Sequence, residues 1–221
     1  IFDNNIPKNL INSIKSHLNN LKKSTATLRK KEYIFDKEIH DSINFESDLV
    51  KKIFLDLQSH LILCEKNTGD WSVEYLNEIV FGDKKTYSLE TLDEGVPIMC
   101  TRNNNELGLS NGDIGVLIGF NAQRKYLFRK FNDNNEQIVE LIDPSNLEHV
   151  VPAIALTIHK SQGSEAEKVS ILWSQQSQRN QYLKNTNHNH ENMFFRDNYQ
   201  RRLFYTAITR SKKFLDIYYL S

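Results

Sequence analysis

Thr157-Ile158-His159-Lys160-Ser161-Gln162-Gly163-Ser164-Glu165 is the stretch that decides the fold. It closes an apolar run, Ala153 to Ile158, that reads as a buried strand. Hydroxyls, an imidazole, an ammonium, an amide and a carboxylate thus collect at a strand's C-terminal end, where open α/β sheets bind ligands. Gly163 lets the backbone approach a phosphate closely. Thr157, His159 and Lys160 carry donors suited to nucleic-acid phosphates. Ser164 and Glu167 have capping-box spacing and predict a short helix after the turn. By composition alone, the same stretch is equally an ordinary polar strand-to-helix connection.

A second informative stretch runs from Arg201 to Lys213, RRLFYTAITRSKK. Leu203, Ala207 and Ile208 form an apolar helical stripe. Thr206 and Arg210 lie four apart and share the other side. A guanidinium at this helix end either complements the helix dipole or neutralises charge on a transferred phosphoryl group. Phe214 to Leu220 reads as a closing strand, and Gln175 to Asn192 as a polar loop.

Working outward, Leu10, Ile14, Leu18 and Leu21, then Leu49, Ile53, Leu57 and Leu61, recur at helical spacing. The basic stretch Lys22 to Lys31 reads as a solvated face. His60 to Glu65 predicts a buried strand and Ser72 to Phe81 a short helix. From Val96 to Ile142 four apolar strand-like runs alternate with turn signals at Asn111-Gly112 and Asn132 to Asn135. These predict a small β-barrel. Arg102 and Asn103, at the end of the first of these strands, either touch a nucleic-acid backbone or stabilise the loop.

The bulk numbers exclude several classes. Lys plus Arg and Asp plus Glu number 28 each across 221 residues, so no overall basic field attracts nucleic acid and any such surface is local. Cys64 and Cys100 are the only cysteines, which suits a reducing compartment and core thiols rather than a disulfide scaffold. No apolar run is long enough to span a bilayer, and the start at Ile1 lacks a signal-peptide pattern. The expectation is a cytoplasmic protein without a membrane anchor, met here as an excised piece. His188-Asn189-His190 lacks companion ligands, so no metal site is expected. Trp71 and Trp173 read as core residues before base-stacking ones.

TIHKSQGSE resembles motif V of superfamily 1 helicases in its RecD-like form, and FYTAITRSKK resembles motif VI of the same family. The two follow each other in family order. Gly95 to Gly115 resembles the start of the SH3-like insertion, domain 2B, of RecD-type helicases. Leu61 to Val80 resembles the motif IV region, with Lys66 and Asn67 where relatives often carry an arginine. Arg202 departs from the acidic residue expected before motif VI.

The resemblance implies an α/β fold. A second RecA-like domain (61–90 and 148–221) carries an inserted SH3-like β-barrel (91–147), preceded by a helical segment (1–60). It implies a 5′-to-3′ ATP-driven DNA helicase, the type of chain that forms the alpha subunit of exodeoxyribonuclease V beside RecB-like and RecC-like chains. It places Gln162, Gly163 and Glu165 at the nucleotide and Thr157, His159 and Lys160 at single-stranded DNA. Arg210 becomes an arginine finger. No G-x-x-x-x-G-K-[ST] stretch occurs. ATP and Mg2+ are therefore expected to be bound mainly by an upstream domain. The fragment alone is expected to bind neither and to hydrolyse no ATP.

Overall fold

The computed structural model describes residues 6–32, 42–43, 48–82, 89–119, 123–131, 137–174 and 190–220. The expected Asn132-to-Asn135 turn and residues 175–189 lie outside them. The chain divides into two compact units. One comprises Ile1–Leu10, Ser59–Glu78 and Ala155–Ser221; the other comprises Ile11–Gln58 and Ile79–Ile154.

The first unit is built on a four-stranded parallel sheet. Its strands are β2 (His60–Cys64), β8 (Leu156–Thr157), β9 (Ala166–Ser174) and β10 (Ser211–Leu220), in the order β10-β9-β2-β8. Central strand β9 buries Val169, Ser170, Ile171 and Leu172 in succession, as a parallel strand covered on both faces must. Helix α3 (Val73–Phe81) follows β2, and α4 (His190–Ile208) joins β9 to β10. The mixed α/β class with a parallel sheet is thus present.

Two local expectations are corrected here. The apolar run before motif V is a strand only at Leu156–Thr157, and Ile158–Ser161 turns into a 3-10 helix. The capping-box spacing at Ser164 does not start a helix. Ala166 instead pairs with Ser211 and begins β9. Tertiary pairing outweighs a local capping preference worth about 1 kcal/mol.

The second unit is a six-stranded antiparallel sheet in the order β1-β6-β5-β4-β3-β7. It contains β1 (Ser42–Ile43), β3 (Pro97–Cys100), β4 (Ile114–Ile118), β5 (Lys125–Phe131), β6 (Gln137–Ile142) and β7 (Val150–Pro152). Alternate residues feed two cores. Ile98, Leu117, Tyr126 and Phe128 join Leu92, Leu109 and Leu147 in one. Val116, Ile118, Leu127 and Val139 meet Leu28, Val50, Ile53 and Phe54 in the other. Those last four come from α1 (Lys8–Glu32) and α2 (Asp48–Leu57). The helices of residues 1–60 thus cover the sheet's second face.

Lys22 to Lys30 is helical; Lys23 and Lys30 are exposed, as a solvated face requires, while Lys22 and Arg29 have partners. Lys22 Nζ lies 3.0 Å from Asp93, and Arg29 grips the buried Glu94 at 3.2 and 3.3 Å. Gly95 (φ +89°) permits the close approach of α1: a Cβ there would lie 2.4 Å from the Lys22 amide nitrogen.

His17, on α1, supplies a pH test. Burial pushes its imidazole down to about 4 from 6.5, only partly offset by the Asp56 carboxylate. The unfolded chain therefore binds this proton first as pH falls. The contribution of neutral His17 is complete above pH 6.5 and is lost between 6.5 and about 4. Urea unfolding should show a loss of about 3 kcal/mol across that window, and His17→Gln should flatten it. An equal slope in the variant would assign the acid sensitivity elsewhere.

Candidate functional site

Motif V and motif VI meet at the C-terminal end of α4 and the start of β10. The Ala166 N–H donates to the Arg210 carbonyl at 3.0 Å. Lys212 Nζ lies 3.2 Å from Glu165, and Lys213 Nζ lies 2.6 Å from Glu167. All four of these side chains are more than half exposed, so water screens the pairs and they set register more than stability.

Gly163 sits at φ +86°, and among the described residues nothing lies within 4 Å of where a Cβ would stand. The turn is closed by Ser164 N–H to Ser161 O at 3.0 Å, and the buried Ser161 hydroxyl donates to Ile158 O at 2.7 Å. The result is an open backbone arch with exposed Gln162 and Gly163, a form that accepts phosphate oxygens. Gly163→Ala meets no steric wall, so its cost is the left-handed backbone alone, about 1–2 kcal/mol. Thermal unfolding should register that loss, and an unchanged midpoint would show that the turn relaxes.

Thr157 is half-buried at the end of β8, and His159 and Lys160 are exposed on the 3-10 turn. His159 Nε2 shares a 2.9 Å hydrogen bond with the Tyr199 hydroxyl, their rings 6.1 Å apart and stacked. Nearby on α4, Gln200 Nε2 donates to Glu65 Oε1 at 3.0 Å. Among the described residues, Glu65 Oε2 and Gln200 Oε1 are buried acceptors without a hydrogen-bond partner. Tyr199 and Gln200 lie outside the motifs and Glu65 inside the motif IV region, and none was legible as a site residue because each meets its partner only through the fold.

Arg210 closes α4. Its Nε donates to Thr206 O at 3.1 Å and its Nη2 to Thr209 Oγ1 at 3.4 Å. The guanidinium thereby holds the helix end, the dipole-complementing role, and keeps further N–H donors for a ligand. Trp173 is buried edge-on against Phe204 at 5.0 Å, Trp71 is buried, and both cysteines are buried free thiols. Both tryptophans are core residues. At the motif IV turn, Asn67 Nδ2 donates to Glu74 at 3.4 Å.

Arg102 and Asn103 belong to the antiparallel unit. They line a surface depression with Asn104 and residues 145–149, and Arg102 Nη1 lies 3.3 Å from His149 Nε2. Among the described residues no group of three His, Cys, Asp or Glu side chains could hold a metal ion, and no helix is long and apolar enough to cross a membrane.

No family model matches the chain. Curated relatives do. The RecBCD enzyme subunit RecD of Buchnera aphidicola subsp. Schizaphis graminum is 25% identical over 229 residues, covering 99% of this chain. The subunit of the same name from Mycolicibacterium smegmatis is 30% identical over 160 residues, covering 71% of this chain and 24% of that protein. The chain is a RecD relative. It spans 33% of the length of the Buchnera subunit. A conjugal transfer protein TraA of Rhizobium radiobacter is 32% identical over 128 residues, 58% of this chain and 9% of that protein. Among solved structures, Bacteroides Pif1 bound to single-stranded DNA aligns over 99% of this chain and 50% of that one, at 15% identity and a TM-score of 0.39. That superposition is too loose to compare residues. The motif V and VI segments of this RecD relative rest on their own geometry.

Proposed function

We propose that the chain is the C-terminal part of an ATP-dependent 5′-to-3′ DNA helicase, the alpha subunit of an exodeoxyribonuclease V (RecBCD-type) complex in double-strand break repair and recombination. The observation that carries this reading is the junction of Ala166 N–H with Arg210 O, which seats motif V against motif VI. On this reading residues 61–90 and 148–221 are a second RecA-like domain and 91–147 an SH3-like insertion.

ATP is the substrate. Gln162, Gly163 and Glu165 would contact its phosphates and ribose, the open arch at Gly163 fitting a phosphate oxygen. Arg210 would stabilise charge on the transferred phosphoryl group from across a cleft. Mg2+ and the remaining phosphate contacts fall to a P-loop domain outside this chain. Thr157, His159 and Lys160 would hold the backbone of single-stranded DNA, and Arg102 and Asn103 would add a second contact.

Two measurements on the longer protein test this. It should unwind a duplex with a 5′ single-stranded tail and leave one with a 3′ tail intact, and it should co-purify with RecB-like and RecC-like chains. Unwinding of the 3′-tailed duplex alone would overturn the polarity. Full activity without any partner chain would replace the complex by a stand-alone helicase of the same branch.

A further inference from the structure

The depression beside Arg102 has a volume of about 200 Å3 and is walled by residues 102–104 on one side and 145–149 on the other. Both walls are fixed before any ligand arrives. The Thr101 N–H and hydroxyl donate to the His149 carbonyl at 2.8 and 3.1 Å, tying the walls together. Asp143 receives Lys125 at 2.8 Å and the Ser145 N–H and hydroxyl at 3.0 and 2.8 Å. The Lys125 hydrogen bond, then those from Ser145, hold its carboxyl down at about 2, so this clamp persists at any ordinary pH.

The donors and acceptors in the depression are sorted. Asn103 Oδ1 is occupied by the Asn111 N–H at 2.8 Å, and Asn104 Oδ1 by the Leu107 N–H at 3.0 Å. No hydrogen bond among the described residues engages either amino group, so both are left for a ligand. Arg102 adds its guanidinium, with one nitrogen on the His149 imidazole. Glu148 supplies a carboxylate, which repels a second phosphate but accepts an amino group. Leu147, 3% exposed, is a core residue that backs the depression.

Donors for one anion beside one acceptor for an amino group are the complement of a single nucleotide. We propose that this depression binds one nucleotide of a single DNA strand, its phosphate on Arg102 and Asn103 and an exocyclic base amino group on Glu148. The inference rests on the DNA-binding reading above and extends it from backbone contact to base preference. Cytosine offers an amino group at this edge and thymine does not.

The test is fluorescence anisotropy of labelled oligodeoxycytidine and oligodeoxythymidine of equal length with the 221-residue chain. Wild type should bind oligodeoxycytidine more tightly. Arg102→Ala should weaken both by about tenfold and lower the salt slope by about one. Arg102→Lys should restore part of that slope. Glu148→Ala should abolish the difference between the two oligonucleotides. Arg102 and Glu148 are exposed, so unfolding curves should match wild type. Unchanged affinity in Arg102→Ala, or no base preference in wild type, would overturn the pocket while leaving the helicase reading standing. No binding of either oligonucleotide by wild type would also overturn the pocket, while the helicase reading stands or falls on unwinding by the longer protein.

Discussion

Arg210→Ala in the longer protein should cut single-stranded-DNA-stimulated ATP hydrolysis by ~10³ or more while leaving the fold in place, the scale at which arginine fingers act. Arg210 is only half-buried, and its structural partners are the Thr206 carbonyl and the Thr209 hydroxyl at the end of α4. Losing them costs a helix cap, on the order of 1 kcal/mol, which a folded domain survives. The two roles therefore separate in one experiment. Steady-state hydrolysis reads the phosphoryl-transfer role, and thermal unfolding reads the cap. Arg210→Lys keeps the charge but not the planar fork and should recover little activity. A variant that unfolds early yet retains hydrolysis per folded molecule would make Arg210 a cap only.

Glu94→Ala should have the largest effect on stability, about 3–5 kcal/mol. Glu94 is 8% exposed. Its carboxylate accepts two Arg29 nitrogens at 3.2 and 3.3 Å and the Gly119 N–H at 3.0 Å. It thus joins α1 to the chain that enters β3 and to the chain that leaves β4. Removing it leaves the buried Gly119 N–H without this acceptor and takes two hydrogen bonds from the partly buried Arg29, which costs more than the pair contributes over an apolar alternative. Arg29→Ala leaves the Gly119 bond intact and should cost less. Urea unfolding of both variants checks the order, and a reversed order would show that the guanidinium, not the carboxylate, is the anchor.

Much of the fold was legible because local chemistry agreed with the final structure. The Asn111-Gly112 turn forms between β3 and β4, with Gly112 at φ +100° and the Ser110 N–H on Asp113. The strands at His60–Cys64 and Gln137–Ile142 fall where their apolar runs end. The cover of α1 and α2 over the sheet was not legible as a contact. Their apolar stripes announce a buried face but not what buries it. The tell-tale was in β4, Ile114-Gly115-Val116-Leu117-Ile118, an unbroken apolar run that a sheet solvated on one face would not carry. The site divided in the same way. His159, Gly163 and Arg210 stand in motifs whose order and spacing can be read directly. Tyr199, Gln200 and His149 gain their places only when segments tens of residues apart come together. The Ser164 capping pattern misled because parallel pairing with β10 claimed Ala166.

On the proposed reading, this chain carries half of an ATP site. Steady-state ATP hydrolysis with saturating single-stranded DNA tests it most directly, measured for the 221-residue chain beside a longer form extended by the proposed P-loop domain. The longer protein should hydrolyse ATP and the chain alone should not. Turnover by the purified chain itself would contradict that reading, because the catalytic machinery would then lie wholly within these residues.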